Sequence, residues 1–417
     1  MKRIFDPIHR FIELDNGEIR LVGLAAFQRL RRLRQLGLAY LAFPSAEHSR
    51  FTHALGALAV GERVFQALRT HSSEFFADEA DFQRQRRLLR ASLLLHDIGH
   101  GPFSHACEAV LGRRHETRTA AILALPEVDR ALTDMQLDSF EVLSLVAGGA
   151  SRYPVLRELV SGPNLDCDRM DYLLRDAYFT GVSGGGYDVD QLIASLRILD
   201  VRGQPELGVD GRGVVALESF VLARYMMFAT VYFHHTTRMY ERVLQQALRE
   251  LWPDPKALDP IAEYLQWDDF RVLDELRRLG TESGRALRDR ITVYGLIAEF
   301  TAERDLTAFA ACERALRERW GDAIWTDTQE ELLHRLPLGL PAIPGEEALP
   351  TVWVGTRRGI VDAREASDLI AKLSGKAYWR KIFCDKQRVD LEQARLICRE
   401  IDARMRRESE PLPFAHS

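Results

Sequence analysis

Paired cysteines are missing. The five that the chain has, Cys107, Cys167, Cys312, Cys384 and Cys398, are odd in number and scattered. None falls in CxxC spacing, which excludes a disulfide framework and a thiolate zinc centre and leaves reduced core or surface thiols. Long apolar runs are missing too. No stretch approaches the roughly eighteen uninterrupted apolar residues of a membrane span, and MKRIFDPIHRF turns polar at Asp6 before a signal-like run develops. A cytoplasmic location and no membrane partner are therefore expected. The formal net charge of −5 lacks the positive excess of a protein that coats nucleic acid. The glycine-rich TGVSGGGYD lacks the Lys-Ser/Thr of a P-loop and reads as a turn leaving a helix. No internal repeat is present. What remains is ordinary globular composition, 417 residues with 46% apolar and 28% charged, long enough for two or three units at about 150 residues each.

Helical periodicity dominates. LAAFQRLRRLRQL spaces Phe27, Leu30, Leu33 and Leu36 three apart, HALGALAVGERVFQAL repeats the pattern around Leu55, Leu58 and Val64, and RQRRLLRASLLLHDIG gives a third amphipathic segment. Strand signals are few: KRIFDPIHRFIEL, RILDV, GVVAL and TVWVG. The texture changes after LWPDPKALDP (251–260), which suggests a first unit over 1–250 and a second over 251–417. The second unit holds the helical segments DDFRVLDELRRLG, LTAFAACERALRERW and RVDLEQARLICREIDARMRR, the Pro-rich linker RLPLGLPAIPGEEALP and a frayed tail over 408–417. The expected fold class is mostly α with a few short strands and an α-rich C-terminal extension.

Almost all of the chemistry sits in LLLHDIGHGPFSHACEAV, residues 93–110, where His96, Asp97, His100, His105 and Glu108 follow an apolar helix. Neighbours on a helix diverge by about 100°, so His96 and Asp97 can share an ion only at the helix edge. Gly99, Gly101 and Pro102 are expected to end that helix and start a second, with Pro102 in its first turn. His105 and Glu108, three apart, then share a face. Imidazole and carboxylate donors without thiolates suit Zn, Mn, Fe, Co or Ni with room for water. Further donors must come from elsewhere, and His53 and an aspartate of LDCDRMDYLLRD are the candidates. A lone histidine on an apolar helix such as that of His53 is ordinarily a satisfied core group.

The order His53, His96-Asp97, Asp168 resembles the HD-domain metal-dependent phosphohydrolases. DPIHRFIEL, FQRLRRLRQLG, FPSAEHSRFTHALG, LLHDIGHGPFSHACE, the HE at 115 and LDCDRMDYLLRDAYFTG together resemble the deoxynucleoside triphosphate triphosphohydrolases among them, over about residues 5 to 245. The resemblance implies an all-α HD fold and a reaction in which metal-activated water attacks the α-phosphorus, giving deoxynucleoside and inorganic triphosphate. It implies His53, His96, Asp97 and Asp168 as ligands of one divalent ion (Mn, Fe, Zn, Co, Ni or Mg), with a second Mg accompanying the triphosphate. Asp168 is preferred to Asp166, which reads as a helix cap.

On the same resemblance, His100, His105, Glu108 and His115 are catalytic or phosphate-contacting. His105 is the general acid, oriented by His115 and by Glu108, where the family has aspartate. Arg50 and Arg169 would bind phosphate, Tyr172 and Asp176 the deoxyribose, and Gln35 the 3′ hydroxyl. Arg238 and Tyr240 are pocket-lining candidates beside His234 and His235. Gln28 and Arg31 match an effector-nucleotide segment, in which the family's guanine-reading aspartate falls at Gly23. A homo-oligomer, a tetramer by the family's habit, is expected. His9, His48, His71, His334 and His416 are taken as structural or surface residues.

Two alternatives remain. One is an HD phosphohydrolase acting on another nucleotide, although the GYP signature of cyclic-dinucleotide enzymes and the extra paired histidines of two-metal phosphodiesterases are absent. The other is a nucleotide or single-stranded nucleic-acid binding module using the Arg-rich 28–34, which lacks interleaved aromatics for base stacking.

Overall fold

The computed structural model describes residues 1–148, 150–332, 351–373 and 376–409. The architecture is mostly α-helical with short strands. Strands β1 (Lys2–Asp6) and β2 (Arg10–Leu14) form an antiparallel hairpin. The helices that matter next are α1 (Arg50–His71), α2 (Glu79–Leu95), α3 (His105–Leu111), α4 (His115–Leu123), α5 (Pro154–Ser161) and α6 (Cys167–Thr180). Helix α1 can lie close against α6 because residue 56 is glycine. A Cβ there would come within 2.0 Å of Asp171 Oδ1 and 2.3 Å of Arg175 Nη2. At the start of α6 the Asp166 side chain accepts from the Arg169 N–H at 2.8 Å, the cap that the sequence suggests.

Beyond α6, β3 (Leu196–Val201) and β4 (Gln204–Asp210) pair antiparallel. Helix α7 (Val214–Met227) follows, then α8 (His235–Leu251) and α9 (Asp269–Leu279). The C-terminal part contributes β5 (Tyr294–Phe300), α10 (Leu306–Trp320), β6 (Ile324–Leu332), β7 (Trp353–Thr356), β8 (Gly359–Asp362), β9 (Lys376–Asp385) and α11 (Leu391–Ser409). Strand β9 runs between β5 and β6 in an antiparallel sheet, and β7 joins β4 in parallel, extending the β3–β4 sheet to β8.

The main core joins α1, α2 and α6, a second cluster surrounds α8, and a third lies between α10, α11 and the β5–β9–β6 sheet. All five cysteines are buried and unpaired as disulfides.

Several local expectations are corrected. Residues 28–34 do not form an α-helix face. Arg29–Arg32 is one turn of 3-10 helix, Leu33 is extended, and Arg29 is fully buried with two carbonyl partners. GVVAL is not a strand but the start of α7. Pro102 opens no helix, because Phe103 and Ser104 take φ of 52° and 51° and α3 begins at His105. No strand is expected at β5, β6 or β9, and the two faces of that sheet pack on different apolar clusters.

The expected boundary at 250/251 falls at the end of α8, and β7 from beyond it pairs with β4 from before it. The Pro-rich linker, with His334 just before it, and the tail from residue 410, with His416, lie outside the described residues. The helical run Gly211–Tyr232 is long and apolar enough to cross a membrane by length and composition alone, and it packs Phe220, Val221, Met227 and Val231 into the main core.

Candidate functional site

Three helices bring their donors to one point. His53 lies on α1, His96 caps the C-terminal end of α2, and Asp168 lies in the first turn of α6. His53 Nε2 is 3.2 Å from His96 Nε2 and 2.9 Å from Asp168 Oδ1, and His96 Nε2 is 3.6 Å from the same oxygen.

The other ring nitrogens fix the tautomers. His53 Nδ1 donates to Asp171 Oδ2 at 2.8 Å and His96 Nδ1 to the Leu93 carbonyl at 2.8 Å. In the neutral rings both Nε2 atoms then turn lone pairs toward each other and toward a carboxylate. One proton cannot satisfy three acceptors, whereas a divalent cation can, so the donor set fits a metal. The local field agrees. Burial opposes charge on His53, yet hydrogen bonds from its ring to Asp168 and Asp171 lift its pKa to about 10. The site thus stabilises positive charge in that position.

Asp97, the fourth expected ligand, lies beside the three. Its Oδ2 is 3.7 Å from His53 Nε2 and its Oδ1 is 3.6 Å from His96 Nε2. It also accepts from Arg50 Nη1 at 2.5 Å and lies 3.2 Å from His100 Nε2. Burial works to raise its pKa, but the Arg50 charge prevails and holds it well below the usual carboxylate range. Arg50 in turn donates to Ser104 Oγ at 2.9 and 2.7 Å.

The segment 99–104 is clamped from outside the HD motif. Tyr264 donates to the Gly99 carbonyl at 2.8 Å, Arg29 to the His100 carbonyl at 2.8 Å, and the Phe103 N–H donates to buried Asp269 at 2.8 Å. Gly99 fits because a Cβ would lie 2.2 Å from the His115 carbonyl.

A second donor group follows. His115 Nδ1 is 2.9 Å and His100 Nδ1 3.5 Å from Glu108 Oε1, and the two rings stack at 3.8 Å. These three and the His53–His96–Asp168 group are each close enough to hold an ion. Burial, with the Arg50 charge adding to it, holds His100 well below the usual imidazole pKa. His105 begins α3, but its side chain lies outside the described residues.

A cavity of about 480 Å³ adjoins the metal donors and is lined by Gln35, Arg50, Tyr172, Asp176 and Arg238 among others. The Tyr172 ring meets His53 edge-on at 6.4 Å, and its hydroxyl pKa is pushed up to about 12 by burial. Asp176 is held by Tyr232 Oη at 2.8 Å and His48 Nε2 at 2.7 Å.

Not every expected residue arrives there. Tyr240 is fully buried in the cluster around α8 and does not line the cavity, because its position on α8 faces the core rather than the Arg238 side. Arg169 bonds Asp166 and the Gly162 carbonyl and is likewise absent from the lining. Gln28 and Arg31 lie away from the cavity, joined to each other at 2.9 Å, with Arg31 over the Phe51 ring.

Other residues carry weight that the sequence reading missed. His9 and His48, taken as structural or surface groups, are buried partners of Asp171 and Asp176. Asp171 accepts from His53, His9 and Arg175 together. The motif DRMDY held the only signal, since a carboxylate three after Asp168 and four before Arg175 shares their helix face.

Comparison with known proteins agrees with this geometry. The HD domain family matches residues 50–148 and the HD associated region family residues 187–296, the latter crossing the 250/251 boundary. The chain is similar to an uncharacterized protein of Methanocaldococcus jannaschii, 34% identical over 278 residues, covering 66% of this chain and 55% of that one. It is also similar to a deoxynucleoside triphosphate triphosphohydrolase SAMHD1 homolog of Dictyostelium discoideum, 28% identical over 262 residues, covering 60% of this chain and 49% of that one. The chain spans about half the length of the curated relatives it matches. Among solved structures, a hypothetical protein of Aquifex aeolicus superposes with TM-score 0.79 and 30% identity, covering 95% of this chain and 99% of that one.

Proposed function

The chain belongs to the HD-domain family, its HD domain followed by an HD-associated region, and from that premise we infer that it is a metal-dependent deoxynucleoside triphosphate triphosphohydrolase. The observation that carries this reading is the convergence of His53, His96 and Asp168 beside a cavity lined by Gln35, Arg50, Tyr172 and Asp176. In it, His53, His96, Asp97 and Asp168 hold one divalent ion, Mn, Fe, Zn, Co, Ni or Mg, and a second Mg travels with the triphosphate. When bound, that ion supplies Lewis acidity and makes water more acidic.

The chain's own residues do the rest. Arg50, which already bridges Asp97 and Ser104, faces the phosphates, and Arg169 joins it after release from Asp166. Tyr172 packs under the deoxyribose, where a 2′ hydroxyl would clash, Asp176 holds the sugar, and Gln35 takes the 3′ hydroxyl. A water oxygen bonds to the α-phosphorus and sheds a proton, the phosphorus–O5′ bond breaks, and His105 gives its proton to O5′ and is recharged by the proton the water has shed. Glu108 and His115 orient that donor; buried His100, held well below the usual imidazole pKa by burial, is suited to accept rather than donate a proton.

Incubating the metal-loaded chain with each of the four dNTPs and their ribo-counterparts tests this. Deoxynucleoside plus triphosphate is expected, from dNTPs only. Orthophosphate or pyrophosphate would redirect the mechanism. That outcome would favour the second reading, a two-ion HD phosphohydrolase on another nucleotide, for which the His100–Glu108–His115 donor group speaks. Gln28 and Arg31 provide the effector contacts of a homotetramer on this reading, and sedimentation with dGTP or dATP should show assembly; a monomer unaffected by either would count against it.

A further inference from the structure

We propose that Ser104 is a positioning residue, whose hydroxyl sets the plane of the Arg50 guanidinium for a phosphate; the proposal rests on the substrate carrying a polyphosphate. The backbone at this residue is strained. Phe103 and Ser104 are consecutive and neither is glycine, yet their φ angles are 52° and 51°. With ψ at −113°, Ser104 takes the conformation of the first central residue of a type II′ turn, φ about 60° and ψ about −120°. The Phe103 carbonyl accepts from the Ala106 N–H at 3.2 Å, as in such a turn. That position ordinarily belongs to glycine, because a Cβ there crowds the backbone. The chain places glycine at 99 and 101 in the same segment and serine at 104. What the serine adds, at the cost of the strain, is its side chain. The turn is held from outside by Asp269, which accepts the Phe103 N–H at 2.8 Å.

The hydroxyl has a defined partner. Ser104 Oγ accepts from Arg50 Nε at 2.9 Å and from Nη2 at 2.7 Å, while Nη1 donates to Asp97 Oδ2 at 2.5 Å. All three residues are buried. The Asp97 contact alone would leave the guanidinium plane free to turn about one bond. The two-pronged contact with Ser104 fixes that plane. A guanidinium has five N–H groups, and these contacts take three, so one remains on each terminal nitrogen. Arg50 and Ser104 both line the cavity beside the metal donors. A planar fork set in advance matches two phosphate oxygens and loses less freedom on binding than a mobile side chain does.

Two substitutions separate the strain from the contact. Ser104→Gly removes both, and Ser104→Ala removes the contact while keeping the strain. Urea unfolding of the full chain should therefore place the midpoint of the glycine variant above that of the alanine variant. Calorimetry on the manganese-loaded chain with inorganic tripolyphosphate should show both variants weakened alike, by about tenfold. A merely structural serine would instead make affinity follow stability. Because the hydroxyl acts through the arginine, Ser104→Gly placed on an Arg50→Ala background should change affinity by less than about twofold.

Should the alanine variant fail to fold, the glycine variant and the Arg50→Ala background still decide. Parent-level affinity in the glycine variant, a loss confined to the less stable variant, or a further loss on the Arg50→Ala background overturns the positioning role, as does a parent that does not bind tripolyphosphate. Product analysis with dNTPs, run in parallel, keeps the two readings apart. The expected affinity losses without release of triphosphate from dNTPs sink the reaction and spare Ser104. Triphosphate release with binding indifferent to residue 104 does the reverse.

Discussion

Asp171 holds His53 by its Nδ1 while accepting from His9 and Arg175, and all four are buried at the side-chain level. Burial works to raise the pKa of this carboxylate, but the Arg175 charge and the histidine hydrogen bonds hold it well below the usual range. A ligand histidine so fixed keeps its tautomer and its aim. Asp171→Asn should therefore lower metal affinity by about 10–100-fold without removing a ligand, read by chelator competition. Unchanged affinity would mean that His53 needs no such orientation. The donor-rich pair His96–Asp97 stands out in the sequence because it follows an apolar helix, whereas His53 and Asp168 are named as ligands only through the resemblance to the HD phosphohydrolases. Asp171, His9 and His48 were not legible, because their partners are 118, 162 and 128 residues away in the chain.

At the scale of elements, the site depends on how closely α1 and α6 approach and on how the 99–104 segment is clamped. Gly56→Ala pushes a methyl group into the Asp171–Arg175 pair and should cost about 1–3 kcal/mol, measured by urea unfolding, with weaker metal binding as the helices part. Asp269 accepts two backbone N–H groups, from Arg34 at 2.9 Å and Phe103 at 2.8 Å. Asparagine can serve only one of them. Asp269→Asn should cost about 1–3 kcal/mol and slow turnover more than it changes KM; equal stability and turnover would remove the clamp from the account. Periodicity revealed α1, α2 and the last helix. It misread 28–34 because burying Arg29 on the His100 and Trp267 carbonyls places a charged residue where a helix pattern reads solvent.

For the whole molecule, the parallel pairing of β4 with β7 and the anchoring of Arg238 by Asp327 on β6 tie the C-terminal part to the cavity. No short-range pattern announces pairings between residues so distant in the chain. The same sheet region sets a pH response. Glu158 on α5 accepts from the Leu207 N–H of β4 at 3.1 Å, and burial pushes its pKa up to about 7. A carboxyl with a raised folded pKa stabilises the fold fully only below its ordinary value, and that contribution is lost as pH rises through 7. Glu158→Gln keeps the acceptor and should be more stable than the parent by about 1–3 kcal/mol at pH 8, with the margin vanishing near pH 4. Urea unfolding at both pH values checks this, and equal stability at pH 8 would contradict it.

The account turns on one cation held where α1, α2 and α6 meet. Anomalous diffraction from crystals soaked in manganese measures this directly. A single strong peak about 2.0–2.3 Å from His53 Nε2, His96 Nε2, Asp97 and Asp168 is the predicted result. A map with no peak there, or with manganese held elsewhere and the two imidazoles turned apart, would contradict it.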